Sequence, residues 1–306
     1  MRGPRGAFVR VYLFKPINAK ATRWLLSGLL LCLAAWVVCR DKAAIEAISA
    51  FPLWALPTMM LVVMLYEILS ALRLAIVGRA AGGTQVPWLS WIKVYVVGKF
   101  ANIMIPQAGN IYRAITLKKR YKISFSKFIS MTILKTWLES LMSIGLSGVL
   151  LALIGREFSV YGFPIYLILI GLFAFLFMGP WLSLGLLKLL GISYKSAPQS
   201  RIYSRIYDAS DTVITWARNR ALIKNLSLVT MLILIWSAIA HYVAFRALGI
   251  SISLPVLAMF VVFLRIGNVI VVTPGNLGVR ELVYGLIAAA MDFGIGQAVL
   301  VSALVR

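Results

Sequence analysis

Apolar residues run along this chain in long blocks, with polar residues gathered between them. The blocks are Trp24–Cys39, Pro52–Val77, Pro87–Ile105, Phe128–Ile154, Tyr161–Leu190, Ala221–Leu248, Leu254–Val272 and Leu282–Met291. Several reach the ~20 residues that a helix needs to cross a bilayer. The pattern predicts an all-α polytopic membrane protein forming a single integral-membrane domain over residues 1–306. Its parts are a basic N-terminus (1–23), a first part (24–190), a polar loop (191–220) and a second part (221–306). A surface helix is expected from about Gln199 to Arg218. The 40–51 connection reads as a short neutral loop, and Gly179-Pro180 as an interruption of the Tyr161–Leu190 run.

Two blocks are broken where a helix should continue. Pro106-Gln107-Ala108-Gly109-Asn110 ends the Pro87–Ile105 run, and Pro274-Gly275-Asn276-Leu277-Gly278 separates Leu254–Val272 from Leu282–Met291. Proline and glycine disfavour an unbroken helix at both places. Backbone that leaves the helix at membrane depth survives only when buried in protein or facing a watery cavity. Charged residues follow each break: Arg113 after the first, Arg280 and Glu281 after the second. The two segments resemble one another, each with a glycine near the end of its apolar run (Gly98, Gly267), and three crossings lie between them. Segments 87–112 and 254–291 are therefore expected to be re-entrant or broken helices of an inverted-topology repeat, the first dipping from the cytoplasm and the second from outside.

Composition agrees with the membrane reading. Mean hydropathy is +0.93 and 61% of residues are hydrophobic, against roughly half in soluble domains. Thirty-one Lys plus Arg face nine Asp plus Glu, a formal charge of +22. With the N-terminus inside, 22 of the 31 cations fall in cytoplasmic segments and four outside, as the positive-inside rule requires. The same cations attract anionic headgroups. No soluble basic domain is left over for nucleic acid. Cys32 and Cys39 sit two helical turns apart, too far for a disulfide. With His241 the only histidine, no metal-ligand cluster and no cofactor are expected.

Within the spans stand Glu67, Arg73, Lys135 and Glu139. Glu67 and Arg73 are six apart, on different parts of the helix surface, and need not pair. Lys135 and Glu139 form an i,i+4 couple. His241 reads as a satisfied packing residue, Arg246 as a cation reaching the outer surface, and Trp24, Trp88 and Trp91 as interface anchors.

Pro274-Gly275-Asn276-Leu277-Gly278-Val279-Arg280-Glu281 closely resembles the PGGLGvrE signature of the flippase-like membrane domain of lysylphosphatidylglycerol synthases. The stretch from Asn102 to Arg113 resembles that family's earlier N-x-x-x-P…GExxR element. Asn276 stands for the second glycine, Asn110 for the usual glutamate, and Lys135 with Glu139 only loosely matches an expected Arg/Asp pair. Relatives continue past the position of Arg306, so a short or truncated member is expected. The resemblance implies a stand-alone member, lacking the synthase domain, in the cytoplasmic membrane of a prokaryote.

What the resemblance implies functionally is translocation of an anionic, aminoacylated or glycosylated lipid headgroup, with no catalytic residues. No P-loop motif is present, so ATP hydrolysis within this chain is not expected. Arg113, Arg280, Asn110, Asn276, Gly275 and Gly278 are the expected headgroup contacts, with Pro106 and Pro274 as helix breaks. Helix ends at a break favour a phosphate through unpaired N–H groups, and the arginines add charge-assisted bonds. Glu67, Lys135, Glu139 and Glu281 are candidates for charge or proton coupling, or for neutralising the cations. The competing functions are a non-transporting partner of a lipid synthase or glycosyltransferase, and an enzyme on a lipid-linked substrate. The expected partners are membrane phospholipid or a lipid-linked substrate, with homo-oligomerisation left open.

Overall fold

A computed structural model describes residues 19–83, 86–105, 107–154, 159–160, 163–189, 201–267, 276–290 and 294–305. Pro106, Pro274 and Gly275 lie outside these residues, as do 1–18 of the basic N-terminus and 191–200 of the polar loop. The described chain is helical apart from one pair of two-residue antiparallel strands, β1 (Ser159–Val160) and β2 (Phe163–Pro164). Among the described residues three helices are long and apolar enough to cross a membrane: α3 (Ala55–Ala80), α6 (Phe125–Ile154) and α9 (Arg220–Ala247). At ~1.5 Å per residue, each exceeds the ~30 Å hydrocarbon core.

The other helices in chain order are α1 (Ala19–Arg40), α2 (Lys42–Ser49), α4 (Trp88–Met104), α5 (Ala108–Tyr121), α7 (Ile165–Leu189), α8 (Arg201–Arg218), α10 (Leu254–Gly267), α11 (Val279–Ala290) and α12 (Ile295–Leu304). The expected 40–51 loop is therefore mostly helix. Asp41 starts it, its Oδ1 accepting the Ala44 N–H at 3.3 Å, an N-cap that a reading based on net charge overlooks. The expected interruption at Gly179-Pro180 is also absent. Pro180 sits inside an unbroken α7, as membrane helices tolerate when the freed backbone groups find other partners. The surface helix expected near 199–218 forms as α8. It turns Ala209, Val213 and Ile214 inward against α6 and keeps Asp208 and Asp211 exposed.

Much of the apolar surface is outward. α7 exposes Leu167, Ile170, Phe175, Phe177 and Met178, and α3 exposes Met60, Leu61 and Met64. A water-soluble monomer rarely leaves such patches bare; hydrocarbon is their natural solvent. The pattern is that of a polytopic helical membrane protein.

Inside, α3 and α9 pack along one another, and each also packs against the first arm of a broken helix, α3 against α4 and α9 against α10. Two buried apolar clusters hold the arrangement. One joins α3, α4, α5 and α6 around Trp91, Leu117 and Leu134; the other joins α9 to α12 around Phe245, Phe260 and Tyr284. Trp91 is thus fully buried, a core side chain seated on Gly78 of α3 and no interface anchor. Trp88 is exposed, its ring 3.8 Å from the Arg79 guanidinium.

Candidate functional site

The two breaks are built differently from the residues upward. At the first, Ile105 is extended and Gln107 turns left-handed at φ 66°, so α5 folds back on α4. The hairpin is tight because Gly109 lies directly on the Gly98 carbonyl oxygen, where any Cβ would overlap it. Asn102, on the last turn of α4, accepts the Gly109 N–H at 2.7 Å through Oδ1. Arg113 then reaches back over Gly98. Its Nη2 donates to the Tyr95 carbonyl at 3.1 Å and its guanidinium lies 4.9 Å from the Tyr95 ring.

At the second break, α11 begins after Asn276 (φ 59°) and Gly278 (φ 78°). Asn276 departs from the family's glycine at a position where the backbone is left-handed. Asparagine is among the few other residues that enter that region readily, so the substitution keeps the turn. Glu281, buried at the third helical position, accepts the Gly278 N–H through Oε2 at 2.7 Å, half of a capping box. At both helix starts a side chain therefore already occupies an N–H that a phosphate would use.

Both broken elements border one cavity of about 190 Å³. From α3 come Val63, Tyr66 and Glu67; from α4, Lys99 and Ile103; from α9, Ser237, Ala240 and His241. α10 adds Val261, Leu264 and Arg265, and α11 adds Arg280 and Tyr284. Among the described residues three cations, Lys99, Arg265 and Arg280, face one lining carboxylate, Glu67.

The charges are tied to the walls. Lys99 pairs with Glu67. Arg265 donates from Nη1 to the Tyr66 hydroxyl at 2.8 Å and pairs with Glu139 at 3.3 Å. Glu139 also holds Arg73 at 2.9 Å. The close ion-pair contacts of Glu139 go to these two arginines, which approach from other helices, while Lys135, one turn away, still acts on it as a third cation. Glu67 and Arg73 do find separate partners. On the far wall, His241 Nδ1 lies 2.6 Å from the Ser237 carbonyl and Nε2 lies 2.7 Å from the Tyr284 hydroxyl. A carbonyl can only accept, so the neutral ring carries its proton on Nδ1 and takes the Tyr284 hydroxyl proton at Nε2. Tyr284 oxygen then accepts from Arg280 Nη2 at 2.8 Å. His241 is satisfied, as read from the sequence, and by accepting the Tyr284 hydrogen it leaves the hydroxyl oxygen to accept from Arg280, which can only donate.

Of the residues singled out in the sequence, Glu67 and Arg280 line the cavity. Arg113 and Asn110 do not. Arg113 braces the α4–α5 hairpin, with Asn110 Oδ1 accepting from its Nη1 at 3.4 Å, and Asn110 opens onto a separate shallow groove with Ile111 and Phe128. Asn276 and Gly278 shape the turn into α11, Glu139 stands behind Arg265, and Glu281 caps. Sequence reading missed Lys99, Arg265, Tyr66 and Tyr284. A cation inside each first arm, Lys99 in α4 and Arg265 in α10, was the available signal. Among the described residues no group of His, Cys, Asp and Glu is arranged to hold a metal ion.

No curated protein and no solved structure matches the chain. The family model for the lysylphosphatidylglycerol synthase TM region matches residues 24–306, nearly the whole length. With the described residues of both signature segments flanking one cationic cavity and the family model matched over nearly the whole chain, the chain belongs to the lysylphosphatidylglycerol synthase transmembrane-region family.

Proposed function

We propose that this chain translocates a phosphate-bearing lipid headgroup across the cytoplasmic membrane of a prokaryote, with its N-terminus inside and its two broken helices dipping from opposite leaflets. The observation that carries the reading is the charge of the central cavity, three cations against one carboxylate among the described residues of its walls. Two atoms there, Glu67 Oε2 and Arg280 Nε, are buried with no hydrogen-bond partner among the described residues. Buried polar groups without partners are costly, and charges at membrane depth are retained where they serve a function. A headgroup phosphate would complete Arg280 and offset the excess charge, while Glu67 Oε2 would take an ammonium of an aminoacylated headgroup or a hydroxyl of a glycosylated one. Because the helix starts are already capped, the phosphate meets side-chain cations in preference to bare backbone N–H groups. Energy comes from an ion gradient or downhill flow.

The test is scramblase-type reconstitution. Vesicles carrying fluorescent phosphatidylglycerol are reduced from outside, and the protected fraction reports inner-leaflet lipid over time. The wild-type chain should deplete it faster than protein-free vesicles. Arg280→Ala should slow the exchange about tenfold, the effect of ~1.4 kcal/mol. Equal rates for wild type, Arg280→Ala and protein-free vesicles would overturn the proposal.

A further inference from the structure

A second cavity, about 470 Å³, opens where Ala81–Gly83 at the end of α3 and Val86 meet the turn between α5 and α6. It falls within the ~300–1,000 Å³ of small-ligand clefts. From Val86 on its wall to Lys99 in the central cavity is thirteen residues of chain, mostly α4, or about 20 Å along a helix axis. The two are separate sites.

Arg120, Lys122 and Lys127 line this groove, and among the described residues no carboxylate does. Val86 and Ile123 are buried beneath. Lys127 Nζ donates to the Ala81 carbonyl at 3.1 Å, which fixes the ammonium over the turn and leaves it two further N–H donors. Lys122 is held at φ 55°, a left-handed conformation that costs a residue with a Cβ roughly 1–2 kcal/mol. Such strain, kept where glycine would be cheaper, is a mark of functional positions. Three cations gathered without a counter-charge repel one another, and an anion removes that penalty.

The surroundings identify the source of the anion. α3 ends here and α6 begins here, both long enough to span, so the groove lies at the depth of headgroups. Exposed Trp88, with Arg79 stacked on it, and exposed Leu89 and Phe125 follow closely in the chain, the aromatic and cationic mixture of a membrane interface. Basic pockets between membrane helices are suited to anionic headgroups.

We propose that the groove formed by Arg120, Lys122 and Lys127 holds the phosphate of a resident anionic phospholipid, distinct from any lipid in the central cavity. The test titrates purified full-length protein with dioctanoyl-phosphatidylglycerol, dioctanoyl-phosphatidylcholine or inorganic phosphate, followed by native mass spectrometry. An Arg280→Ala background removes the contribution of the central cavity. Saturable binding of the glycerol lipid is expected to persist in that background. It should weaken about tenfold or more in Arg120→Gln/Lys122→Gln/Lys127→Gln, through loss of charge-assisted bonds. It should change less than about twofold in Lys118→Gln/Lys119→Gln/Lys224→Gln, which removes equal charge elsewhere. The double variant Arg120→Gln/Lys122→Gln keeps the Lys127–Ala81 bond and should still weaken binding severalfold. Binding lost with Arg280→Ala alone, or weakened equally by both triple variants, or matched by phosphatidylcholine, would overturn the site. Inorganic phosphate displacing the lipid at equal concentration would overturn the lipid as occupant.

Discussion

Glu139 ties three helices together, pairing from α6 with Arg73 of α3 and Arg265 of α10. Its two oxygens hold Arg73 at 2.9 Å and Arg265 at 3.3 Å, with all three side chains less than a fifth exposed. Glu139→Gln keeps the shape and removes the charge. For charges about 4 Å apart at an effective dielectric of ~20, each pairing is worth roughly 4 kcal/mol before desolvation. Relief of the carboxylate's own burial offsets part of that. Leaving buried cations uncompensated costs about 3–5 kcal/mol, and with two guanidiniums stranded the upper part of that range is expected. Arg265 keeps its bond to the Tyr66 hydroxyl, so removing Arg73 as well leaves one better-supported cation. Arg73→Met/Glu139→Gln should therefore be more stable than Glu139→Gln by roughly 1–2 kcal/mol, within the coupling range of contacting residues. The assay is reversible unfolding in mixed SDS micelles, followed by tryptophan fluorescence, on the full double-mutant cycle. A loss below about 1 kcal/mol for Glu139→Gln would refute the reasoning. So would a double variant as destabilised as the sum of the singles.

Gly109→Ala must push α5 off the Gly98 carbonyl; overpacking of this kind costs ~1–3 kcal/mol, and the same micelle titration should show it. A near-neutral result would mean the hairpin is looser than described. At Asn276, with φ 59°, Asn276→Gly should be neutral or slightly stabilising while Asn276→Val loses about 1–2 kcal/mol. Equal stability of the two variants would contradict the left-handed turn.

The fold class was legible because long apolar blocks are a direct imprint of hydrocarbon as solvent, and both breaks were legible because proline and glycine mark them. The chemistry of the site was less so. Helical periodicity pairs Lys135 with Glu139 along one element, yet Glu139 is taken by Arg73 and Arg265, from α3 and α10. Such choices are made by tertiary packing, which local spacing does not encode. Arg113 looked like a ligand residue because it follows a break, but the Gly98–Gly109 contact folds it back along α4. Trp91 looked like an anchor because it begins an apolar block, but it faces Gly78. Asn276, by contrast, became interpretable once its φ was known, since residue type and backbone conformation agree.

The cavity's wiring has a mechanical consequence rooted in α3. Tyr66 and Glu67 are consecutive, so they leave the helix about 100° apart, one toward Arg265 on α10 and the other toward Lys99 on α4. Arg73, two turns after Tyr66, returns to the same face and joins the same node through Glu139. One straight span thus grips the first arms of both broken helices with adjacent residues. On the proposed function, an anion in the cavity would compete with Glu67 for Lys99, a bond between α3 and α4, and with Glu139 for Arg265, a bond between α6 and α10. On that reading, ligand charge and helix position would be coupled through side chains that already neutralise one another.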